Sequence, residues 1–324
     1  SALALLIAPL ASAQTTPAQA AASTLAGQAS DWLYEGSDIP RDEGWRFGVL
    51  PNGLRYAVRN SGVPPGQVSI RVRMDVGSMF ETDSERGFAH LLEHLTFRGS
   101  LHIPDGETKR IWQRFGVTFG SDSNAQTTPT QTVYQLDLPS VTSTTLDESM
   151  KLLSGMVREP RITDAAVTAE RGVVLSELRE QDGPQKRIAD ATSAHLFAGQ
   201  LLGERSPIGT AAALGAANAN SVQAFHDRWY RPDRAVVVMV GDGDPAQFAA
   251  LIGKYFGDWK EAGANPAQPD FGKPDPSQPV AKEIVEANQP LALTLAMIRP
   301  WKKRVDTVEN TRRLYLEYLA QALV

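Results

Sequence analysis

Two of the five histidines in this 324-residue chain, His90 and His94, lie four residues apart in the segment GFAHLLEHLTFRGS. On a helix, that spacing stacks both imidazoles on one face, one turn apart, and Glu93, three residues after His90, joins them. Phe88, Leu91, Leu92 and Leu95 fall on the opposite side and can anchor the helix in a core. An ionisable stripe set against an apolar one suits a helix that presents ligands to a metal ion. The chain has no cysteine, which excludes disulfides, thiolate metal sites and a cysteine nucleophile; a metal here takes His, Asp or Glu.

A third ligand is available in TAERGVVLSELRE, where Glu170 and Glu177 stand seven residues apart on an expected helix. Seven residues are nearly two turns, so both face the same way, about 10.5 Å apart along the axis. Oxygen ligands sit about 2.0–2.2 Å from zinc, so one of the two ligates and the other supports. Two imidazoles and one carboxylate leave a fourth zinc position open for water, the pattern of a catalytic site. Zinc lowers the pKa of that water from about 15.7 to about 7, a change of about 12 kcal/mol. Glu93 faces the metal side without being needed as a ligand. It can take a proton from the water and return it to a leaving amine. The expected chemistry is metal-assisted hydrolysis, with a peptide bond as the first substrate to consider.

Those side chains need a scaffold. Leu54, Tyr56 and Val58 alternate with polar residues, as do Val68, Ile70, Val72, Met74 and Val76, so both stretches read as strands of a sheet covered on one side. Helices are expected over about Gly87–Phe97 and Asp105–Phe115, and a strand from Thr132 to Leu138 ending at Pro139. Leu146, Met150, Leu153 and Val157 mark a further helix, and Thr163 can cap a long one reaching about Arg179. Asn220 or Ser221 starts another that ends near Tyr230. Ala235–Val240 is a continuous apolar strand, and Asp244-Pro245 opens a last helix closed by Gly257. The order predicts an α+β two-layer sandwich: a mixed, mainly antiparallel sheet with helices packed on one face.

Leu3–Leu10 followed by Ala11-Ser12-Ala13 reads as the remnant of a secretory signal over residues 1–13, which predicts a periplasmic or secreted protein. That run is too short to span a bilayer. Residues 14–40 read as a disordered linker, 41–262 as the metal-binding domain and 263–281 as a linker set by Pro266, Pro269, Pro274, Pro276 and Pro279. Val308, Leu314, Tyr315, Tyr318, Leu319, Ala322 and Leu323 recur at helical spacing with no stop signal after them. Residues 282–324 therefore read as the start of a second, truncated domain. A net charge of −5 argues against nucleic acid as a partner.

At these residues the sequence resembles the pitrilysin/insulysin family of zinc peptidases, whose metal helix reads H-x-x-E-H. NGLRYAV (52–58) is similar to the family's first strand, and DVGSMFETDSERGFAHLLEHLTFRGS (75–100) to its metal-helix region. ERGVVLSE (170–177) resembles its downstream glutamate helix, and WYRPDRAVVVMVGDGD (229–244) the strand that closes its first domain. The resemblance implies one zinc ion held by His90, His94 and Glu177, with Glu93 as catalytic base and Glu170 as an acidic residue assisting the ligands. It also implies that SNAQTTPTQTVY (123–134) is a substrate-side edge strand, where Asn124 and Ala125 bind an extended peptide by strand addition. Glu177 follows His94 by 83 positions, a few more than is typical of the family. An insertion at 126–131 or 142–145 would accommodate them. A second homologous half, in the same chain or a partner subunit, is expected to close the chamber and supply an Arg and a Tyr.

The expected function is a zinc endopeptidase acting on peptides or small unfolded proteins. The alternatives are a non-catalytic homologue that holds substrate or structure, and an amidase or esterase with the same machinery. Members without catalysis lack a ligand or the base, and all four residues are present here.

Overall fold

A computed structural model of the chain describes residues 32, 34–275, 277, 281–296, 298 and 304–322. The signal segment at 1–13 and most of the expected linker at 14–40 lie outside the described residues. The chain divides into two compact units, residues 43–299 and residues 1–42 with 300–324.

The larger unit is built on one six-stranded sheet. Its strands are β1 (Trp45–Val49), β2 (Arg55–Asn60), β3 (Val68–Met74), β4 (Ser123–Thr127), β5 (Thr132–Leu138) and β6 (Ala235–Gly241). They run in the order β1-β2-β6-β3-β5-β4, with β2 and β6 parallel and every other pair antiparallel. The expected mixed, mainly antiparallel α+β sandwich is the observed fold. Alternation does the sorting: Val68, Ile70, Val72 and Met74 are buried, while Ser69, Arg71 and Arg73 lie on the other face. There Arg71 grips Asp137 at 2.7 Å across the β3–β5 pair.

Helices α1 (Phe88–Thr96), α2 (Glu107–Arg114), α3 (Ser143–Arg158), α4 (Asp164–Glu180), α5 (Pro184–Leu196), α6 (Ala211–Ala216), α7 (Ala219–Trp229) and α8 (Pro245–Phe256) complete this unit. Their buried side chains form one core with the covered sheet face; Phe88 of α1 meets Phe225 of α7 edge to face at 6.3 Å. Each fully buried Leu or Phe in this layer contributes about 1.5–3 kcal/mol.

Three expectations change. The 123–134 stretch is two strands: β4 is the sheet edge, residues 128–131 form a turn, and β5 begins at Thr132. The helix expected from Asn220 or Ser221 is capped two or three residues earlier, by Asn218, whose side chain accepts the Ser221 N–H. Strand β1 and helices α5 and α6 were not expected from the pattern.

In the smaller unit, α9 (Val308–Ala322) is the helix predicted from its apolar spacing. The Val308 N–H donates to Asp38 Oδ1 at 2.8 Å.

Candidate active site

The site begins at the N-terminus of α1. Gly87, the N-cap, has φ 98°, a left-handed conformation that favours glycine. A Cβ there would come within 3.0 Å of Leu214 and 3.1 Å of the Gly209 Cα. The first amides of a helix need acceptors. The buried Glu81 carboxyl supplies two, accepting from Gly87 N–H at 2.9 Å and Ala89 N–H at 2.8 Å. Burial pushes the Glu81 carboxyl up to about 8, opposed by those two amides and by Arg205.

Phe88, Leu91, Leu92 and Leu95 are buried as expected, which turns His90, Glu93 and His94 toward α4 and β4. The imidazole rings stand 4.8 Å apart, nearly perpendicular at 88°. Helix α4 starts where Thr163 accepts the Ala166 N–H, as expected, and brings Glu177 over the pair. Glu177 Oε2 lies 3.7 Å from His90 Nε2, and Oε1 lies 3.7 Å from His94 Nε2. One ligand atom from each of the three residues lies within 4.8 Å of the others. Ligand atoms about 2.1 Å from one zinc ion in tetrahedral geometry stand about 3.4 Å apart, so the three atoms would draw together by up to about 1.4 Å around an ion. Two imidazole nitrogens and a carboxylate oxygen are a zinc donor set. The residues fit the metal.

Glu170 lies two turns back on α4 and does not join that set. Its Oε2 is 3.2 Å from His94 Nδ1, and its Oε1 accepts from Arg98 at 3.0 Å. A proton on Nδ1 shared with Glu170 leaves the Nε2 lone pair aimed at the metal position. The hydrogen bond from His94 holds the Glu170 carboxyl below its ordinary range; burial opposes it and Arg98 reinforces it. Burial works against charge on His94, but Glu170, Glu177 and Glu93 together hold it above its ordinary value. Among the described residues no group hydrogen-bonds the buried His90 Nδ1, and burial beside His94 lowers His90 to about 4.

Glu93 is buried, which pushes its carboxyl up, while a 2.5 Å hydrogen bond from the Thr127 hydroxyl on β4 pulls it back. Asn124 and Ala125 sit on the free edge of the sheet, where the Asn124 side-chain oxygen accepts the Ala125 N–H at 2.9 Å. An added peptide strand would have to displace that contact.

Three residues of the site escaped the sequence reading. Arg98 ties α1 to α4 through Glu170 and to Asp105 at 2.5 Å; its place one turn past His94 was the available signal. Glu81 and Thr127 act through contacts that only the fold creates.

Comparison with known proteins agrees with this geometry. Residues 58–206 match the family Insulinase (Peptidase family M16), and residues 216–319 match Peptidase M16 inactive domain. The probable zinc protease PqqL of Haemophilus influenzae is 34% identical over 220 residues, which is 68% of this chain and 24% of that protein. The PqqL of Escherichia coli is 33% identical over 214 residues, covering 66% of this chain and 23% of its own length. The crystal structure of the first half of the periplasmic protease PqqL from Escherichia coli superposes with a TM-score of 0.67. It is 31% identical, with 71% of this chain and 49% of that one covered. The chain thus spans about a quarter of the length of these curated relatives. With the two-histidine helix, the glutamate helix and the six-stranded sheet all in place, the chain belongs to the insulinase family of peptidases, M16.

Proposed function

We propose that this chain supplies the metal half of a zinc endopeptidase that cuts peptides or small unfolded proteins. The observation that carries the reading is the convergence of His90, His94 and Glu177 within 4.8 Å, with Glu93 on the same face of α1. His90 and His94 would hold the ion through Nε2, and Glu177 through its carboxylate. When bound, zinc supplies a Lewis acid that brings the pKa of water to about 7. Glu93, next to that position, takes a proton and delivers it to the leaving amine, base first and acid second. Its raised affinity for a proton suits both transfers. Glu170 keeps His94 in the tautomer that exposes Nε2.

The edge position of β4 supports substrate binding by strand addition at Asn124 and Ala125. A second homologous half, which the inactive-domain match at 216–319 supports, would close the chamber over that edge. The apolar run at Leu3–Leu10 with its Ala11-Ser12-Ala13, and the likeness to the periplasmic protease PqqL of Escherichia coli, support a periplasmic or secreted location. Among the described residues no helix is long and apolar enough to cross a membrane.

The test is hydrolysis of an internally quenched peptide by the full-length protein. Cleavage should vanish in excess chelator and return with zinc. Unchanged cleavage at saturating chelator would discard the metal mechanism, and stoichiometric zinc without any turnover would point to a substrate-holding subunit.

A further inference from the structure

Thr127 carries an inference that rests on the hydrolase reading and extends it. Its hydroxyl lies 2.5 Å from Glu93 Oε2 and 3.4 Å from Thr132 Oγ1. A threonine has one hydroxyl proton to give. Thr132 spends its own on the Val76 carbonyl at 3.0 Å, and at 3.4 Å it is a poor acceptor for an O–H. The Thr127 proton therefore goes to Glu93, and O–H···O⁻ bonds are short, about 2.5–2.7 Å. That bond occupies Oε2 of Glu93, and the Thr127 backbone N–H acts on the same carboxyl.

The hydroxyl is held from outside α1. Thr127 pairs with Thr132 at the end of β4. The next two carbonyls, of Thr128 and Pro129, accept the N–H groups of Ser78 at 3.2 Å and Met79 at 2.9 Å. Gly77 leaves the room for this: a Cβ there would sit 2.1 Å from the Thr128 oxygen.

We propose that Thr127 is a positioning residue that fixes the rotation of the Glu93 carboxylate from the edge strand β4. The same strand carries Asn124 and Ala125 on its free edge, so the element placed to pair with a peptide is also the one that aims the base. A shift of β4 on peptide binding would be transmitted to Glu93 through Thr127.

The experiment compares the full-length, zinc-loaded parent with Thr127→Val, which keeps the shape and removes the hydroxyl, and Thr127→Ser, which keeps the hydroxyl. Three things are measured: bound zinc, kcat and KM on an internally quenched peptide, and the Glu93 side chain in a crystal structure of each variant. Thr127→Val should keep stoichiometric zinc and the parent's KM within about twofold, and lose about 10–100-fold in kcat, as loss of an orienting partner does. Thr127→Ser should restore most of that kcat, and the Glu93 carboxylate should leave its position only in the Val variant. Parent-like kcat in Thr127→Val, or equal loss in the Ser and Val variants, would overturn the proposal. If the parent cleaves no peptide, the hydrolase reading fails instead. The crystal structures then decide alone: an unmoved Glu93 in Thr127→Val overturns the positioning role, and a displaced one supports it.

Discussion

The two helices that assemble the ligand set are held in opposite ways. In α1, seven of the nine residues are buried, and Glu81 caps its first turn from inside the protein. In α4, only Ala166, Val167 and Val174 of seventeen residues are buried. Half-buried Leu175 and Leu178 pack against the core, and polar ties add to them: Glu170 to His94 and Arg98, and Arg171 to the carbonyls of Gly215 and Ala217 at 3.2 Å. Packing therefore presets the two imidazoles, whereas Glu177 arrives on a helix that is buried less and held more by polar ties. Two ligands set by packing and one on a less buried helix let an ion draw the third arm inward without disturbing the core.

This contrast breaks if both helices respond alike to truncation. Leu92→Ala removes a fully buried side chain from α1 and should cost about 2–5 kcal/mol in urea unfolding. Arg98→Ala cuts one of the two polar ties to Glu170, the other being His94, while leaving the core intact. Zinc affinity, measured by competition with a chromophoric chelator, should fall about 10–100-fold; an unchanged affinity would mean that Glu170 needs no brace.

The pH dependence of zinc binding sharpens the comparison between the histidines. His94 sits above its ordinary 6.5, while His90 is lowered to about 4. Near pH 6 a proton therefore competes with the ion at His94 and not at His90. Affinity should rise about tenfold per pH unit below the raised His94 value and level off above it; a hundredfold rise per unit would mean that both imidazoles compete. The smallest effect belongs to the exposed side of α4, where Val173→Ala should change stability by no more than about 0.5 kcal/mol.

The same difference explains what could be read in advance. Helix α1 declared itself because its ligands and its apolar side chains both obey helical spacing, and β3 because Val68 to Met74 alternate. Thr163 announced the start of α4. Strand β1 was missed although Trp45, Phe47 and Val49 alternate with Arg46 and Gly48: the run is five residues long, none of them is buried, and pairing with β2 makes it a strand. Helix α5 buries no residue, so it has no apolar stripe to find. Thr127, Arg98 and Glu81 were missed for a different reason. Thr127 meets Glu93 across 34 positions and Arg98 meets Glu170 across 72, while Glu81 reaches forward onto the cap of the next helix, and apolar periodicity encodes none of these meetings.

Glu93→Gln in the full-length protein, with bound zinc and turnover measured on the same sample, probes the division of labour most directly. Near-full zinc occupancy with turnover reduced about 10²–10⁴-fold is the predicted result, since Glu93 moves protons and ligates nothing. Retained turnover, or zinc lost along with it, would contradict that assignment.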